Sequence, residues 1–311
     1  MKVKFKDYFS KDSEEYARFR PRYPAELFSY LSSIADQHQK AWDCATGTGQ
    51  SAVSLSDYFS EVIATDASKT QIKNAEKKHG ITYQVATAED SNIEDNSIDL
   101  ITVSQAFHWF NIEAFSKEAN RVLKDKGVIS VWAYNLLSVQ EDVDEIIYYL
   151  YNAILGEYWP KERKMVEDGY KSIRLPFKEM EAPVFNMIAE WNLSQLIGYL
   201  CTWSATKQYQ EKFGVNPVEE IHEKITKTWG KSEKVLSVKW PLKLRLWQKN
   251  TSQKPALGHS AQSNANMTKR CTRLKISSQD SSNTALQQQD IIRGCAFLGN
   301  IYPAAPVIRI N

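Results

Sequence analysis

The chain has 311 residues, a net charge of +2 and 42% hydrophobic residues, a composition typical of an ordinary globular protein. Because the charge is nearly balanced, no broad basic field predicts binding to nucleic acid or to an anionic membrane surface. The four cysteines (Cys44, Cys201, Cys271 and Cys295) lack paired spacing, which argues against a disulfide framework and a zinc site. No apolar run suits a signal peptide or a spanning helix, so we expect a cytoplasmic protein. We also expect no bound metal.

The first 135 residues alternate between helical and strand periods. Strands are expected at AWDC (41–44), EVIATD (61–66), ITYQVA (81–86), SIDLITVS (97–104) and GVISVWAY (127–134). Helices are expected at 25–35, 50–58, 68–80 and 112–124. Pro24 suits the first helical position, and Ser68-x-x-Gln71 is a capping-box pattern.

This alternation predicts an α/β fold with a doubly wound, mostly parallel, Rossmann-like sheet. Ligands of such sheets lie outside the carboxyl ends of the strands, near the point where the strand order reverses. The loops after residues 43, 66, 86 and 104 are therefore expected to share one rim.

After Tyr134 the sequence becomes rich in aromatic residues. Amphipathic helices are expected within 141–159, 192–203 and 216–229. EAPVFNMIAEW (181–191) and VLSVKWPLKLRLW (235–247) bring the predicted strands to seven, the last one antiparallel. This half is expected to form a helical cap over the rim, after the fifth strand.

The last part of the chain differs in composition. From Asn250 onward there are seven Lys/Arg against two Asp/Glu, and all nine Trp lie before that residue. A Ser/Gln/Asn/Lys-rich segment cannot bury enough apolar surface to offset its ordering entropy. We expect one domain over 1–249, with a cofactor-binding core at 25–135 and a cap at 136–249, followed by a flexible tail at 250–311.

The strongest local signal is DCATGTGQ (43–50), directly after the first strand. Gly47 and Gly49 allow a tight turn and a close approach of the backbone to a ligand at the start of a helix. Asp66 ends the second strand, where an acidic side chain can accept hydrogen bonds from both ribose hydroxyls of an adenosine. A plain strand-to-helix turn and a helix-capping Asp66 are the simpler alternatives.

Two cofactors suit this pattern. Gly47-x-Gly49-x-x-Ala52 also matches the dinucleotide fingerprint. A pyrophosphate, however, favours a neutral or positive turn, and Asp43 adds a carboxylate four residues before Gly47. S-adenosylmethionine carries a sulfonium and an ammonium group and no phosphate, so a nearby carboxylate favours it.

These residues resemble a known family. The D-x-x-x-G-x-G motif from Asp43, the acidic residue Asp66, the segment AED (88–90) and SQAFHWF (104–110) resemble class I S-adenosylmethionine-dependent methyltransferases. WDCATGTGQ with FHWF, YARFRPRYP, YLCTWSA and VKWPLKLRL are similar to the small-molecule branch that includes trans-aconitate methyltransferases. The resemblance spans about residues 5–249. Ala45 departs from it, because the general motif has a third glycine there.

The resemblance implies a role for each matching residue. The methionine part of the donor would be held by Asp43 and the backbone of Ala45, Thr46, Gly47, Thr48 and Gly49. The adenosine part would meet Asp66 at the ribose and Ala67, Ala88 and Glu89 at the adenine. Gln105 and Ala106 would form the floor, and Tyr16, Arg20 and Tyr23 would close the pocket.

The resemblance also implies a small-molecule acceptor, which we expect to be methylated on a carboxylate oxygen. His108 is the candidate catalytic base, since an imidazole can take a proton from a hydroxyl acceptor. We favour instead a pocket-wall role for His108 and Trp109, because an ionised carboxylate is already a nucleophile and in-line positioning can supply most of the acceleration. Trp203 either contacts the acceptor or packs in the core, and Arg20 either meets an anionic acceptor or lies in solvent.

Three alternatives stay open. A phenolic, quinone-like or carrier-bound acceptor would require His108 for turnover. A nicotinamide-dependent oxidoreductase would be protected from unfolding by NAD(H) and not by S-adenosylhomocysteine. A non-catalytic donor-binding module would bind the donor without turnover. The oligomeric state is not predicted.

Overall fold

The computed structural model describes residues 19–251. Tyr16 and most of the predicted tail lie outside the described residues. The helices are α1 (Ala25–Ile34), α2 (Gln50–Leu55), α3 (Lys69–Asn74), α4 (Ile112–Val122), α5 (Glu141–Tyr149), α6 (Arg163–Glu167), α7 (Leu193–Cys201), α8 (Ser204–Phe213) and α9 (Glu219–Trp229). The strands are β1 (Lys40–Cys44), β2 (Glu61–Asp66), β3 (Ile81–Val85), β4 (Ile98–Ser104), β5 (Leu123–Tyr134), β6 (Lys178–Met180), β7 (Phe185–Trp191) and β8 (Leu236–Gln248).

The strands form one mixed sheet in the order β3-β2-β1-β4-β5-β8-β6, with β7 also paired to β8. The first five strands run parallel, and β8 runs antiparallel to β5. The strand order reverses between β1 and β4, so the ligand site is expected where those two strands end. This confirms the predicted doubly wound α/β fold.

The sheet is buried on both faces because successive residues of a strand point to opposite sides. In β1, Ala41 joins the core cluster on one face and Trp42 the cluster on the other. In β4, Leu100 and Ile101 divide in the same way. Helices on each face are thus held by a continuous apolar strand surface.

The sheet has eight strands, one more than the seven predicted. β8 is 13 residues long, and its outer edge pairs with β7 over Leu236–Leu242 and with the three-residue β6 over Leu246–Gln248. The segment KEM of β6 is too short and too polar to show a strand period. Sequence reasoning therefore had no signal for it.

The helix after β2 is shorter than predicted. It ends at Asn74 rather than near Gly80. The Ser68 side chain accepts the Gln71 backbone N–H at 3.3 Å, but the Ser68 N–H is taken by the Asp66 carboxylate at 2.8 Å. The capping box is thus only half formed. Pro24 likewise precedes the first helical residue of α1 rather than occupying it.

The cap departs from regular helix. After α5 the chain continues as a π-helical turn (Leu150–Ile154) and a 3₁₀ turn (Gly156–Tyr158), and then α6 follows. Sequence analysis predicted one amphipathic helix here and did not predict α6 or α8. Within residues 19–251 no helix combines the length and the apolar character needed to cross a membrane.

Candidate functional site

The glycine-rich loop leaves β1 with three residues in the left-handed region. Ala45, Gly47 and Gly49 have φ values of 55°, 57° and 87°. Glycine adopts such angles without strain, whereas alanine does so at a cost of about 1–2 kcal/mol. Strain of this kind concentrates at functional sites, and here it lies at the predicted binding rim.

Gly47 and Gly49 serve different purposes. A Cβ at Gly49 would lie 2.3 Å from the Tyr83 hydroxyl, so a larger residue there would have to displace the Tyr83 ring. A Cβ at Gly47 would meet no atom within 4 Å. Gly47 therefore faces open space at the carboxyl end of β1, where the methionine part of the donor is expected, and the loop fits that group.

Asp43 lies beneath the loop rather than in it. Its side chain is fully buried, and its two oxygens accept hydrogen bonds from the hydroxyls of Thr46 (2.5 Å) and Thr102 (2.8 Å). Thr102 lies opposite Asp43 in the β1–β4 register. Burial raises the pKa of the Asp43 carboxyl to about 6, against the lowering effect of these hydrogen bonds. The geometry gives Asp43 a supporting position under the loop, not direct exposure to a ligand.

Asp66 joins the loop that follows β1 to the loop that follows β2. One carboxylate oxygen accepts the Gly47 backbone N–H at 2.9 Å, and the other accepts the Ser68 N–H at 2.8 Å. A carboxylate offers about four acceptor positions, so these two bonds are compatible with further bonds to a ribose diol.

The residues expected near the adenine occupy different depths. Ala67 is half-buried at the end of β2. Ala88 is buried in the core cluster beneath the rim. The Glu89 carboxylate accepts the backbone N–H of Asn111 at 2.9 Å, ahead of α4. Ala67 and Glu89 are thus the more accessible of the three.

Gln105 links the loop region at the rim to a separate cavity, which is called the second cavity below. Its φ of 55° is left-handed, its backbone N–H donates to the Trp132 carbonyl, and its Nε2 donates to the Tyr134 carbonyl at 3.0 Å. The half-buried Ala106 follows, and its carbonyl accepts the Trp109 N–H. The strained turn therefore points Gln105 along the end of β5.

The second cavity lies between the ends of β4 and β5 and the cap. It is lined by Arg20, Gln105, His108, Trp109, Tyr134, Asn135, Trp159, Pro160, Arg163, Tyr199, Trp203 and Ser204. Among the described residues that line it, none is acidic and two are arginines. Aromatic walls with two guanidinium groups suit a small anionic ligand.

Neutral side chains contact both arginines. Arg20 donates to the Tyr134 hydroxyl at 3.0 Å and lies over the Tyr199 ring at 5.1 Å. Arg163 donates to the Asn135 side-chain oxygen at 2.6 Å and to the Tyr151 hydroxyl at 3.0 Å. Within the described part of the chain, no carboxylate lies within ion-pair distance of Arg163.

His108 is half-buried in the wall of this cavity. Its Nδ1 lies 3.0 Å from the Tyr170 hydroxyl, and its ring packs on Trp109. Burial, with a smaller effect from the Arg163 charge, lowers the pKa of the imidazole to about 3. A neutral imidazole with so low a pKa is a weak base. Across residues 19–251 no three His, Cys, Asp or Glu side chains cluster as metal ligands would.

The other predicted pocket residues divide between the cavity and the core. Trp109 and the largely buried Trp203 both line the cavity. Tyr23 does not; its ring packs edge-on against Trp132, with centroids 5.4 Å apart. Sequence reasoning missed Arg163, Asn135 and Trp159, which lie in segments with no motif. It also missed Tyr199, which lies in YLCTWSA but was not singled out as a pocket residue.

The chain is similar to known proteins along most of its described length. Residues 42–131 match the family model described as a methyltransferase domain. A proposed methyltransferase of Dictyostelium discoideum is 32% identical over 254 residues, which are 79% of this chain and 97% of that protein. A proposed S-adenosylmethionine-dependent methyltransferase of Saccharomyces cerevisiae is 27% identical over 180 residues, 53% of this chain and 59% of that protein.

A solved structure agrees with these sequence matches. A proposed type II methyltransferase from Anaeromyxobacter dehalogenans superposes with a TM-score of 0.72 at 36% identity. The match covers 75% of this chain and 99% of that one. The similarity thus extends over the sheet and the cap together.

Proposed function

Because this chain belongs to the S-adenosylmethionine-dependent methyltransferases, we propose that it methylates a small molecule on a carboxylate oxygen. Family membership sets aside the nicotinamide-dependent alternative. We further propose that the chain belongs to the branch that includes trans-aconitate methyltransferases, on the motifs YARFRPRYP (16–24), FHWF and YLCTWSA.

The donor would lie along the rim. We propose that the 45–49 backbone holds its methionine part and that Asp66 binds its ribose. Ala67 and Glu89 would lie beside its adenine, and Gln105 would form part of the pocket floor. Asp43 would act through Thr46 and Thr102 by keeping the loop in place. When bound, S-adenosylmethionine supplies an electrophilic methyl group on a cationic sulfur.

The observation that carries the proposal is the half-buried Arg163, which has no carboxylate partner among the described residues and lines the cavity beside Gln105. A guanidinium buried among aromatic rings is stabilised by an anion that supplies the missing charge. Arg20 adds a second positive charge to the same cavity. An acceptor carboxylate bound there lies next to the rim that holds the donor.

The chemistry of the wall also favours a carboxylate. A phenolic hydroxyl must lose a proton, and His108, with its pKa lowered to about 3, takes a proton poorly. An ionised carboxylate needs no such step. The aromatic side chains would exclude water and align the oxygen with the methyl group.

The proposal is tested by methyl transfer from labelled donor to a panel of small carboxylic acids, phenols and quinols. We expect turnover of acids, with kcat/KM reduced at least about tenfold by Arg163→Ala because a charged hydrogen bond is lost. His108→Ala should change turnover of acids only modestly. Turnover confined to phenols and abolished by His108→Ala would contradict the proposal, as would donor binding without turnover on any acceptor.

A further inference from the structure

The orientation of Arg163 is set by residues on both sides of it. Its Nε donates to the Tyr151 hydroxyl at 3.0 Å and its Nη2 to the Asn135 Oδ1 at 2.6 Å. The Trp159 ring lies beneath the guanidinium, with its centroid 4.8 Å away. Two of the three nitrogens and one face of the plane are thus engaged, so the group has little freedom to rotate.

The engaged nitrogens leave a defined donor edge. Among the described residues no hydrogen bond is formed by Nη1 of Arg163 or by Nδ2 of Asn135. Both residues line the cavity. These N–H groups are therefore available to donate to the oxygens of a carboxylate bound in the cavity.

The direction of the Tyr151 hydroxyl is set in turn by Glu167. The Tyr151 hydroxyl donates to the Glu167 carboxylate, so its oxygen is left to accept from Arg163. Burial raises the pKa of the Tyr151 phenol to about 12, and the hydroxyl therefore keeps its proton. The direction of the chain, from Arg163 to Tyr151 to Glu167, is fixed by the one carboxylate at its end.

Neither Tyr151 nor Glu167 lines the cavity. Tyr151 is buried at the π-helical turn after α5, and Glu167 is exposed at the end of α6. The Tyr151 hydroxyl reaches the cavity through Arg163, whereas the Tyr151 ring also packs on Trp159 and Trp203 in the cavity wall. A substitution that keeps the ring therefore isolates the effect of the hydroxyl on Arg163.

We propose that Tyr151 and Glu167 are positioning residues that determine the selectivity of the cavity for a carboxylate, by holding the Arg163 guanidinium in one orientation through its Nε. This inference rests on the proposed function. Preorganised donors bind an anion without first losing side-chain entropy. Without the Tyr151 hydroxyl, Arg163 keeps its charge but loses its fixed direction.

The test uses benzoate and benzamide as probes of equal shape that differ in charge. Each is titrated against the full chain saturated with S-adenosylhomocysteine, and binding is followed by the fluorescence of the cavity tryptophans. Wild-type protein should prefer benzoate by about tenfold or more. Tyr151→Phe keeps the ring and should weaken benzoate about fivefold, the effect of one net hydrogen bond, with benzamide unchanged.

Matched variants separate positioning from general damage. Tyr148→Phe, at a 62% exposed tyrosine of α5, should bind benzoate as wild type does. Glu167→Gln retains an acceptor for the Tyr151 hydroxyl and should stay within about twofold of wild type, whereas Glu167→Ala should weaken benzoate more. Because Glu167 is exposed, its variants are expected to fold even if Tyr151→Phe does not.

The outcomes distinguish this inference from the proposed function. Equal affinity of the wild type for the two probes, or no binding of either, would overturn both. A benzoate preference lost in Arg163→Ala but intact in Tyr151→Phe and Glu167→Ala would overturn the positioning roles alone. Equal losses for benzoate and benzamide in Tyr151→Phe would show a structural defect and also contradict it.

Discussion

The carboxylate of Asp66 accepts a hydrogen bond of 2.9 Å from the backbone N–H of Gly47, which joins the end of β2 to the glycine-rich loop after β1. The second oxygen of the same carboxylate holds the Ser68 N–H, at the start of α3. One side chain thus sets the relative position of two loops on the rim. Any ligand that spans the rim depends on this bond, whether or not it contacts Asp66.

Asp66→Ala is expected to weaken the binding of S-adenosylhomocysteine at least about tenfold, because the proposed ribose contact and the observed loop anchor are lost together. Calorimetric titration measures this directly. Asp142→Ala, at an exposed position in the first turn of α5, is the control and should bind as wild type does. Unchanged affinity in Asp66→Ala would contradict the assigned site.

Gly47→Ala should separate binding from stability. Its φ of 57° makes alanine unfavourable by about 1–2 kcal/mol, but an added Cβ meets no atom within 4 Å. We expect a folded protein with a modest loss of stability and donor affinity reduced by about tenfold or more, since the methyl group would occupy ligand space.

Gly214 provides the matched control for Gly47. It ends α8 with a φ of 73°, and its added Cβ also meets nothing within 4 Å. Gly214→Ala should therefore lower the free energy of unfolding by a similar amount while leaving donor affinity unchanged. Equal donor affinities in the two variants would show that Gly47 does not face the donor.

Ala45→Gly is expected to raise the free energy of unfolding by up to about 1 kcal/mol, because glycine relieves the left-handed backbone at φ 55° but loses more chain entropy. Urea denaturation followed by fluorescence measures the change. Ala41→Gly in β1, where the backbone is an ordinary strand, should instead lower stability. Destabilisation by both substitutions would contradict strain at Ala45.

The largely desolvated imidazole of His108 should make stability depend on pH. Its pKa is about 3 in the folded protein and about 6.5 in an unfolded chain. Between these values the unfolded chain binds more protons, so the contribution is present above pH 6.5 and is lost as the pH falls. We expect the melting temperature to fall less between pH 7.5 and 5 in His108→Gln than in wild type.

The contribution of Asp43 to stability depends on pH in the opposite direction. Burial raises the pKa of its carboxyl to about 6, and this favours the folded state at low pH. Its contribution is common to wild type and His108→Gln, so the difference between them isolates His108. His222→Gln, at an exposed position of α9, should keep the wild-type dependence. Parallel pH curves for His108→Gln and wild type would contradict the lowered pKa of His108.

The sequence by itself determined the parallel sheet, its rim and the family. Strand segments such as EVIATD (61–66) have the predicted bounds because continuous apolar runs reflect burial on both faces, a local property of the chain. The DCATGTGQ motif likewise gave the position of the glycine-rich loop, since glycine spacing encodes backbone angles directly. The sequence did not predict the supporting position of Asp43 under the loop. Its partner Thr102 is 59 residues away and reaches it only through strand pairing.

Only the tertiary structure decided which side chains line the second cavity. Arg163, Asn135 and Tyr151 lie in three separate segments with no shared motif, and they meet because the cap folds over the ends of β4 and β5. Tyr23, adjacent to the arginine-rich segment, packs on Trp132 instead of lining the cavity. Backbone conformation and strand burial are set by neighbours in the chain, whereas the charge and shape of a cavity depend on contacts between distant residues.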